Sequence, residues 1–391
     1  MDFETIKAKA DKYFMATYGR FNAAPEKGKS ATLTDSEGKK YIDFTSGIGV
    51  NSLGYADAAW VDAVAGQAAK LQHISNLYYN EPSALLAEKL CEMAGFEKVL
   101  FCNSGAEANE CAIKIARKYS FDHYGEGRGK VITLVNSFHG RTMATLAATG
   151  QDVFHNYFFP FPEGFAYAEA NNLEALKEAV DDTVCAVVME PIQGEGGVMP
   201  LDKEYVKAAA EFLAEKDILL IFDEVQTGVG RTGKLYAWEH FGVKPDILTS
   251  AKGLGGGLPI GACLAGEKCA NVLTKGTHGT TFGANPVVCA GALQVLERLT
   301  PEFLTKVRAK GEYFKSQLLK IDGIKSVRGE GLMLGAELEN GTAADVAAKC
   351  VEKGLLVLTA KTLLRFLPPL VITYDEIDEG MEILKSVIEN N

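Results

Sequence analysis

A lysine and an aspartate that each follow an apolar run are the side chains of this sequence best placed to do chemistry. Asp223 ends the run that starts at Ile218, and Lys252 lies between the run that ends at Ser250 and a glycine-rich loop. A carboxylate after so apolar a run is partly desolvated, which is costly unless it meets a cation. A lysine in such a place can have a lowered pKa, as an imine-forming amine requires. Taken singly, they are also compatible with an Asp that caps a turn and a solvated surface lysine.

The segment Asn103–Asn109 has the composition of a helix start directly after another apolar run. Ser104 is a good N-cap, and the small residues Gly105 and Ala106 would let a ligand approach the backbone. Free N–H groups at a helix N-terminus bind phosphate. The segment therefore predicts either a phosphate site or a plain capped helix.

Two further strand ends carry groups that suit a planar or charged ligand. Phe138 could stack on a flat ring and Arg141 could bind a carboxylate, although surface turns of this composition are common. Glu190 and Glu195 follow the next apolar run and could form a paired acid and base. They could equally anchor a loop and neutralise an arginine, and the sequence favours a structural role for Glu190.

Short apolar runs that alternate with helical patterns predict the scaffold that positions these residues. The runs are Lys98–Cys102, Lys130–Val135, Thr183–Met189, Ile218–Phe222, Ile247–Ser250 and Ile260–Leu264. The helical stretches include Ser83–Met93, Gly105–Tyr119, Asn172–Ala179 and Lys203–Glu215. This alternation favours an α/β fold with a mostly parallel sheet covered by helices on both faces. In such sheets ligands bind at the carboxyl ends of the strands, where the polar residues above lie.

The two ends of the chain predict a smaller α+β unit. Residues 31–45 indicate two short strands around a turn, and amphipathic helices are expected at 302–320, 343–353 and 375–389. We therefore expect three parts, listed in chain order: an N-terminal segment, 1–55, that contributes to a small domain, a large ligand-binding domain, 56–295, and the C-terminal small domain, 296–391.

The composition excludes several classes of protein. The 391 residues include 40 basic and 51 acidic side chains, and the net charge of −11 argues against broad electrostatic binding to nucleic acid or anionic membranes. No apolar run reaches the roughly 18 residues that a membrane helix needs, and the charged start does not resemble a signal peptide. The eight cysteines form no CxxC pair and the six histidines no metal pattern. We therefore expect reduced thiols, a cytoplasmic protein and no catalytic metal.

One cofactor uses a phosphate cradle, an aromatic plate, a buried carboxylate and an imine-forming lysine together. Pyridoxal 5′-phosphate needs the lysine for its aldehyde, the carboxylate for its protonated pyridine nitrogen and the helix N-terminus for its phosphate. The joint occurrence of all four features favours this cofactor over the separate alternatives.

The sequence resembles the class III (ornithine-type) pyridoxal-phosphate aminotransferases over nearly its whole length. The resemblance starts at Ala16–Phe21 and ends near Leu364–Leu370, and Phe222–Gly233 together with Lys252 is highly specific for the family. It implies a fold-type I transferase, with a large domain around a mostly parallel sheet and a smaller α+β domain. The stretch Asn76–Tyr79 points to the subgroup that acts on N2-acetyl-L-ornithine.

The same resemblance implies how the cofactor is held. The backbone of Gly105 and Ala106 would bind the phosphate, and Phe138 and Val225 would pack on opposite faces of the ring.

The polar contacts of the cofactor follow in the same way. Asp223 would pair with the pyridinium nitrogen, Gln226 would contact the ring hydroxyl, and Lys252 would form the imine and act as the catalytic base. Thr281 would reach the phosphate of the neighbouring subunit's cofactor, which implies a homodimer with shared active sites.

For the substrates, the resemblance implies a ping-pong transfer of the δ-amine of N2-acetyl-L-ornithine to 2-oxoglutarate. The products are N-acetyl-L-glutamate 5-semialdehyde and L-glutamate, as in arginine biosynthesis. Arg141 would bind the α-carboxylate of the acylated ornithine, Arg365 that of glutamate or 2-oxoglutarate, and Thr280 would lie near the substrate. Glu195 would pair with Arg365 when the amine donor is bound and swing away for the dicarboxylate.

Several alternatives share most of these residues. Ornithine, succinylornithine and 4-aminobutyrate aminotransferases fit the same arginine pair, and a non-catalytic pyridoxal-phosphate-binding regulator would belong to a different class. The sequence departs from the family pattern at Ala284, usually a glycine, and at residues 54–58. Both departures lie in loops where they bear on substrate specificity and not on cofactor contacts.

Overall fold

The computed structural model describes residues 1–389 and is built from helices and strands in alternation. The strands are β1 Pro25–Lys29, β2 Thr32–Asp35, β3 Lys40–Asp43, β4 Lys98–Cys102, β5 Lys130–Leu134, β6 Phe165–Ala168, β7 Val184–Met189, β8 Ile192–Gln193, β9 Met199–Pro200, β10 Leu219–Asp223, β11 Ile247–Ser250, β12 Gly261–Ala265, β13 Ile324–Glu330, β14 Met333–Leu338, β15 Leu355–Leu356, β16 Leu358–Ala360 and β17 Leu363–Phe366. The helices are α1 Phe3–Tyr13, α2 Ser46–Gly49, α3 Ala58–Lys70, α4 Glu81–Ala94, α5 Gly105–Tyr124, α6 Met143–Ala148, α7 Leu173–Ala179, α8 Lys203–Glu215, α9 Trp238–Phe241, α10 Pro286–Arg298, α11 Pro301–Leu318, α12 Ala343–Glu352 and α13 Tyr374–Ile388. Asp152–Phe154 and Lys252–Gly255 form short 3-10 turns.

The central sheet has seven strands in the order β4-β12-β11-β10-β7-β5-β6. Only β12 runs antiparallel to its neighbours β4 and β11 in this described sheet, and the remaining pairs are parallel. The predicted α/β fold with a mostly parallel sheet is thus confirmed. All six predicted apolar runs form strands of this sheet, and β6 is a seventh strand that the sequence pattern did not reveal.

Alternating side chains of the central strands pack on helices at opposite faces of the sheet, as the period of two in a strand requires. Val188 and Ile221 lie in one apolar cluster with residues of α5, whereas Val187 and Leu220 lie in the opposite cluster with residues of α8. Since both faces are covered, strands β7, β10 and β12 are buried throughout. This double burial explains why they read as continuous apolar runs.

Two four-stranded sheets and the short pair β8-β9 complete the fold described for residues 1–389. One has the order β1-β2-β3-β15 and joins the N-terminal strands to a strand near the C-terminus, with Ile42 of β3 opposite Leu355. The other, β13-β14-β17-β16, is antiparallel and carries Arg365 on β17. The two strands expected within 31–45 are β2 and β3, and the three predicted C-terminal helices correspond to α11, α12 and α13.

Helices α3 and α10 were not predicted, yet they support the loop that follows Lys252. The indole Nε1 of Trp60 on α3 donates to the carbonyl oxygen of Gly255 at 3.2 Å. Within residues 1–389, no helix combines the length and the hydrophobicity that a membrane span requires.

Candidate active site

A cavity of about 470 Å³ opens at the carboxyl edge of the central sheet. It is lined by Val50, Asn103, Ser104, Gly105, Ala106, Asn109, Phe138, His139, Gly140, Arg141, Glu190, Glu195, Asp223, Val225, Gln226, Ala251, Lys252, Gly257, Leu258, Pro259 and Ile260. Of the residues predicted for the site, Thr280, Thr281 and Arg365 do not line this cavity. The strand ends therefore bring the remaining predicted residues together.

The first turn of α5 forms one wall of the cavity. Ser104 caps the helix, since its side chain accepts a hydrogen bond from the N–H of Glu107 at 3.2 Å. The N–H groups of the first turn have no acceptor within the helix, so those of Gly105 and Ala106 are suited to bind an anion. A β-carbon at Gly105 would come within 2.7 Å of Cγ1 of Val225, which explains why the helix starts with glycine.

Asp223, the last residue of β10, is 4% exposed and is surrounded by hydrogen-bond donors. Its Oδ2 accepts from Nδ2 of Asn109 and lies beside Nδ1 of His139, both at 2.7 Å. Its Oδ1 accepts from the N–H of Val225 at 3.0 Å. Two donors and the His139 ring around one buried carboxylate fix its orientation toward the cavity.

His139 and Glu190 are buried next to Asp223. Burial by itself would lower the pKa of His139, but the hydrogen bond to Asp223, its charge and that of Glu190 raise it. Burial raises the pKa of Glu190, and the charge of Asp223 adds to this rise. The Glu190 carboxylate also accepts from the backbone N–H groups of Phe138 at 3.0 Å and Gly194 at 3.2 Å. Glu190 thus holds two loops of the site, as the favoured structural role requires.

Lys252 follows β11 and is half-buried in the cavity wall. Burial lowers the pKa of its amine, and the charge of Glu195 opposes that shift. Its backbone is left-handed, with φ of 44°, because the chain turns sharply into the loop 253–257. In the parallel pairing of β10 and β11, Asp223 lies opposite Thr249, which brings the carboxylate and the amine to the same edge of the sheet.

The loop after β5 supplies an aromatic ring and a cation. The ring of Phe138 meets that of Phe154 edge to face, with centroids 5.8 Å apart. The guanidinium of Arg141 lies 4.2 Å from the Phe154 ring and 5.4 Å from the Phe138 ring. Arg141 is exposed at the mouth of the cavity, so its guanidinium is available to a carboxylate.

Arg365 lies behind the cavity wall, paired with Glu195. Its Nη1 donates to Oε1 of Glu195 at 2.6 Å and to Oε1 of Gln226 at 3.2 Å. The arginine is 3% exposed, and its Nε has no hydrogen-bond partner. Burial would raise the pKa of Glu195, but the charge of Arg365 lowers it on balance. The pair therefore closes off a guanidinium that a carboxylate could otherwise reach.

Thr280 and Thr281 lie beyond the cavity. Thr280 is close to it, since its Oγ1 accepts from Nδ2 of Asn103 at 3.1 Å. Thr281 is exposed on the protein surface. Within residues 1–389, no group of three or more His, Cys, Asp or Glu side chains is arranged to hold a metal ion.

Asn109 and His139 both contact Asp223, although neither has a role predicted from the sequence. Asn109 could have been found from its position one helical turn after Gly105, which places it on the helix face that meets the sheet. Only the position of His139 next to Phe138 could have pointed to it, since a single histidine in a turn does not by itself indicate a function.

A model of the family described as "Aminotransferase class-III" matches residues 13–388 of the chain. The chain belongs to this family. The resemblance and the fold-type expected from the sequence are thereby confirmed.

Two relatives and one solved structure show how close the match is. Acetylornithine aminotransferase of Haemophilus ducreyi is 52% identical over 99% of this chain and 99% of its own length. Succinylornithine transaminase of Citrobacter koseri is 45% identical over 98% of this chain and 96% of its own. A structure of Toxoplasma gondii ornithine aminotransferase with pyridoxal phosphate at partial occupancy in its active site is 34% identical and covers 100% of this chain and 96% of that one, with a TM-score of 0.94.

Proposed function

We propose that this class-III aminotransferase moves the δ-amino group of N2-acetyl-L-ornithine to 2-oxoglutarate, as an acetylornithine transaminase (EC 2.6.1.11) of arginine biosynthesis. N-acetyl-L-glutamate 5-semialdehyde and L-glutamate are the products. The observation that carries the chemistry is the half-buried Lys252 at the same sheet edge as Asp223. The 52% identity to an acetylornithine aminotransferase over the full chain supports the choice of donor.

The cofactor is pyridoxal 5′-phosphate, and the residues at the cavity fit it. The first turn of α5 offers backbone N–H groups for a phosphate, and Asp223 offers a carboxylate for a protonated ring nitrogen. Phe138 and Val225 line the same cavity as apolar surfaces for the two ring faces, and Gln226 lines it as a polar group for the ring hydroxyl. When bound, the cofactor supplies an aldehyde for the amine and an electron-withdrawing ring.

Lys252 is the proposed base. Since burial lowers the pKa of its amine, Nζ spends more time neutral and can accept a proton from the substrate carbon that bears the amino group. Asp223, fixed by its two donors and the His139 ring, would hold the proton on the ring nitrogen.

The Glu195–Arg365 pair would let one pocket accept two dissimilar substrates in turn. While the pair is closed, at 2.6 Å, the buried guanidinium is neutralised and the pocket accepts the acylated ornithine. When Glu195 swings away, Arg365 offers a two-pronged fork for the α-carboxylate of the dicarboxylate. Arg141 would bind the α-carboxylate of the acylated ornithine from the cavity mouth, with Thr280 nearby.

A homodimer with shared active sites is part of this proposal. Thr281 is exposed, and beside it in sequence Phe282 is 61% exposed. Leu77 and Tyr79 are likewise exposed, at 85% and 105%. Such apolar exposure is costly in water and suits burial against a second subunit, where Thr281 would reach the partner's phosphate.

We also propose the division into residues 1–55, 56–295 and 296–391 and a cytoplasmic location. The pairing of β3 with β15 supports placing the N-terminal segment with the C-terminal domain. All eight cysteines are free thiols, and all but Cys91 are buried, which suits a reducing compartment.

A single-turnover absorbance assay of the cofactor-loaded protein tests the donor. N2-acetylornithine, succinylornithine, ornithine and 4-aminobutyrate are offered separately without a keto acid. We expect N2-acetylornithine to convert the cofactor to its amine form fastest. The 45% identity to a succinylornithine transaminase makes succinylornithine the second candidate, and its clear preference would overturn the choice of acyl group. Absence of conversion by every amine would overturn the catalytic proposal.

A further inference from the structure

The hydrogen bonds of Asp223 continue through Asn109 to Thr249, which does not line the cavity. Asn109 has its amide orientation fixed, because two groups that can only accept face its Nδ2: Oδ2 of Asp223 at 2.7 Å and the carbonyl oxygen of His139 at 2.8 Å. Its Oδ1 therefore accepts, from Oγ1 of Thr249 at 2.7 Å. The ring of His139 contacts the same carboxylate oxygen through Nδ1.

His139 is held by its backbone as well as by its ring. Its N–H donates to Oγ1 of Thr149 at 3.0 Å, and its carbonyl oxygen accepts from Asn109. The residue is 3% exposed and is the one fully buried histidine of the described chain. With both backbone groups bound, the position from which the ring projects toward Asp223 is fixed.

The surroundings of the ring decide which nitrogen carries the proton. Nε2 is buried without a hydrogen-bond partner. His139 borders a void of about 10 Å³ whose other lining is apolar apart from Asn109: Ala112, Ile113, Ala148, Val188 and Ile221. Nδ1 lies 2.7 Å from Oδ2 of Asp223. A proton on Nε2 alone would leave two acceptors facing each other at that distance and a buried donor without a partner at Nε2. The neutral Nδ1–H form avoids both, and the imidazolium avoids the first.

We propose that His139 is a positioning residue that donates from Nδ1 to Asp223 and so holds this carboxylate, with its charge, against the ring nitrogen of the cofactor. The inference rests on the proposed function and adds to it a residue that does not itself touch the reacting atoms. In either allowed protonation state His139 is a donor, so the orientation of Asp223 does not depend on pH through this contact.

The charges packed around Asp223 and His139 agree with this role. Glu190 approaches from the end of β7 and Lys252 from the end of β11, and both interact with the charge of Asp223. Two carboxylates in so dry a site repel each other unless cations lie between them. A protonated ring nitrogen supplies one such cation, and the donor from His139 keeps Asp223 turned toward it.

Two substitutions distinguish the effect of the hydrogen-bond donor at Nδ1 from the effect of side-chain size. His139→Asn places an amide nitrogen near the position of Nδ1, whereas His139→Gln places it near the position of Nε2, toward the apolar void. Both variants would be loaded with ¹⁵N-labelled pyridoxal phosphate, and the ¹⁵N chemical shift would report whether the ring nitrogen is protonated.

We expect the ¹⁵N chemical shift of the ring nitrogen to keep its protonated value in His139→Asn and to move toward the deprotonated value in His139→Gln. The loss of a hydrogen bond to a charged group corresponds to a fall in kcat of about 10- to 100-fold in His139→Gln. Equal ring-nitrogen shifts in the two variants would overturn the inference. If the unmodified enzyme fails to bind the cofactor at Lys252, the proposed function fails instead.

A measurement on the unmodified holoenzyme covers the case in which a variant does not fold. Nitrogen-15 spectra of its imidazoles would show a slowly exchanging proton on Nδ1 of the buried histidine. A proton found on Nε2 alone would overturn the inference without any substitution.

Discussion

Replacing Glu195 by glutamine tests the substrate switch most directly. The change keeps the size of the side chain and removes the charge that faces Arg365. In the unmodified protein a dicarboxylate must displace Glu195 from the guanidinium, to which it is bound at 2.6 Å. In Glu195→Gln it displaces only a neutral amide, so glutamate and 2-oxoglutarate should bind more tightly.

The size of the effect follows from the geometry of the pair. A hydrogen bond to a charged group contributes about 1.5–3 kcal/mol, which corresponds to roughly 10- to 150-fold in binding. The Glu195 side chain is 29% exposed, so water screens part of this attraction. The lower end of this range of binding effects therefore applies. We therefore expect the kcat/KM for glutamate relative to N2-acetylornithine to rise about 10-fold. The variant should not bind N2-acetylornithine more tightly, because the buried guanidinium of Arg365 has no countercharge while this substrate is bound.

The assay is a pair of single-turnover half-reactions, with glutamate and with N2-acetylornithine, on the unmodified enzyme and the variant. Comparing the ratio of the two cancels any effect of Glu195 on Lys252 that both substrates share. Glu204→Gln is a matched control, since Glu204 forms a surface ion pair with Lys207 at 3.2 Å and its side chain is 79% exposed. We expect this control to leave the ratio unchanged.

An unchanged ratio in Glu195→Gln would refute the reasoning. It would mean that the Glu195–Arg365 pair stays closed for both substrates and only stabilises the fold. A fall in the ratio would refute it as well, because Glu195 would then help the dicarboxylate to bind.

Three further changes probe the cofactor site and the buried charges. Lys252→Ala should abolish turnover while pyridoxal phosphate stays bound without a covalent link, and normal turnover would disprove the assignment of the base. Gly105→Ala should weaken cofactor binding several-fold in a dialysis titration, because the new β-carbon would lie 2.7 Å from Val225; Gly66→Ala, with nothing within 4 Å, should have no such effect. Burial raises the pKa of Glu224 from 4.5 to about 7, so the stability that comes from its protonated form is complete below pH 4.5 and is lost as the pH rises through 7. Denaturant titrations should therefore show that Glu224→Gln removes about one proton from the pH dependence of unfolding between these values, and an unchanged slope would contradict the shift.

The sequence predicted the central sheet well because burial on both faces leaves a simple trace. Each strand that is covered on two sides must be apolar along its length, and the chemical groups stand out at its end. The edge strand β6, Phe165–Ala168, was missed because it is short and only partly buried. Helix α3 was missed for a similar reason: none of its residues is fully buried, so its apolar pattern is weak.

Lys252 and Asp223 could be placed at the candidate site from the sequence, because each is a charged residue that follows an apolar run. The site was less predictable where a residue acts through another. His139 and Asn109 matter because of contacts made across the fold, between residues 30 to 114 positions apart. No local pattern records such a contact, since any small polar residue that fits the space could make it.

In the proposed function, the residues for the chemistry and those for the choice of substrate belong to different sheets. Lys252 and Asp223 lie on the central sheet, whereas Arg365 lies on β17 of the smaller antiparallel sheet. The loop that carries Glu195 is tied to the smaller sheet, because Nε of Arg328 on β13 donates to the carbonyl oxygen of Gly197 at 2.9 Å. The Glu195–Arg365 pair therefore contacts the smaller sheet, while the carboxylate and the amine lie at the edge of the central one. Changes in the smaller sheet should alter which acceptor is used and leave the proton transfer by Lys252 intact.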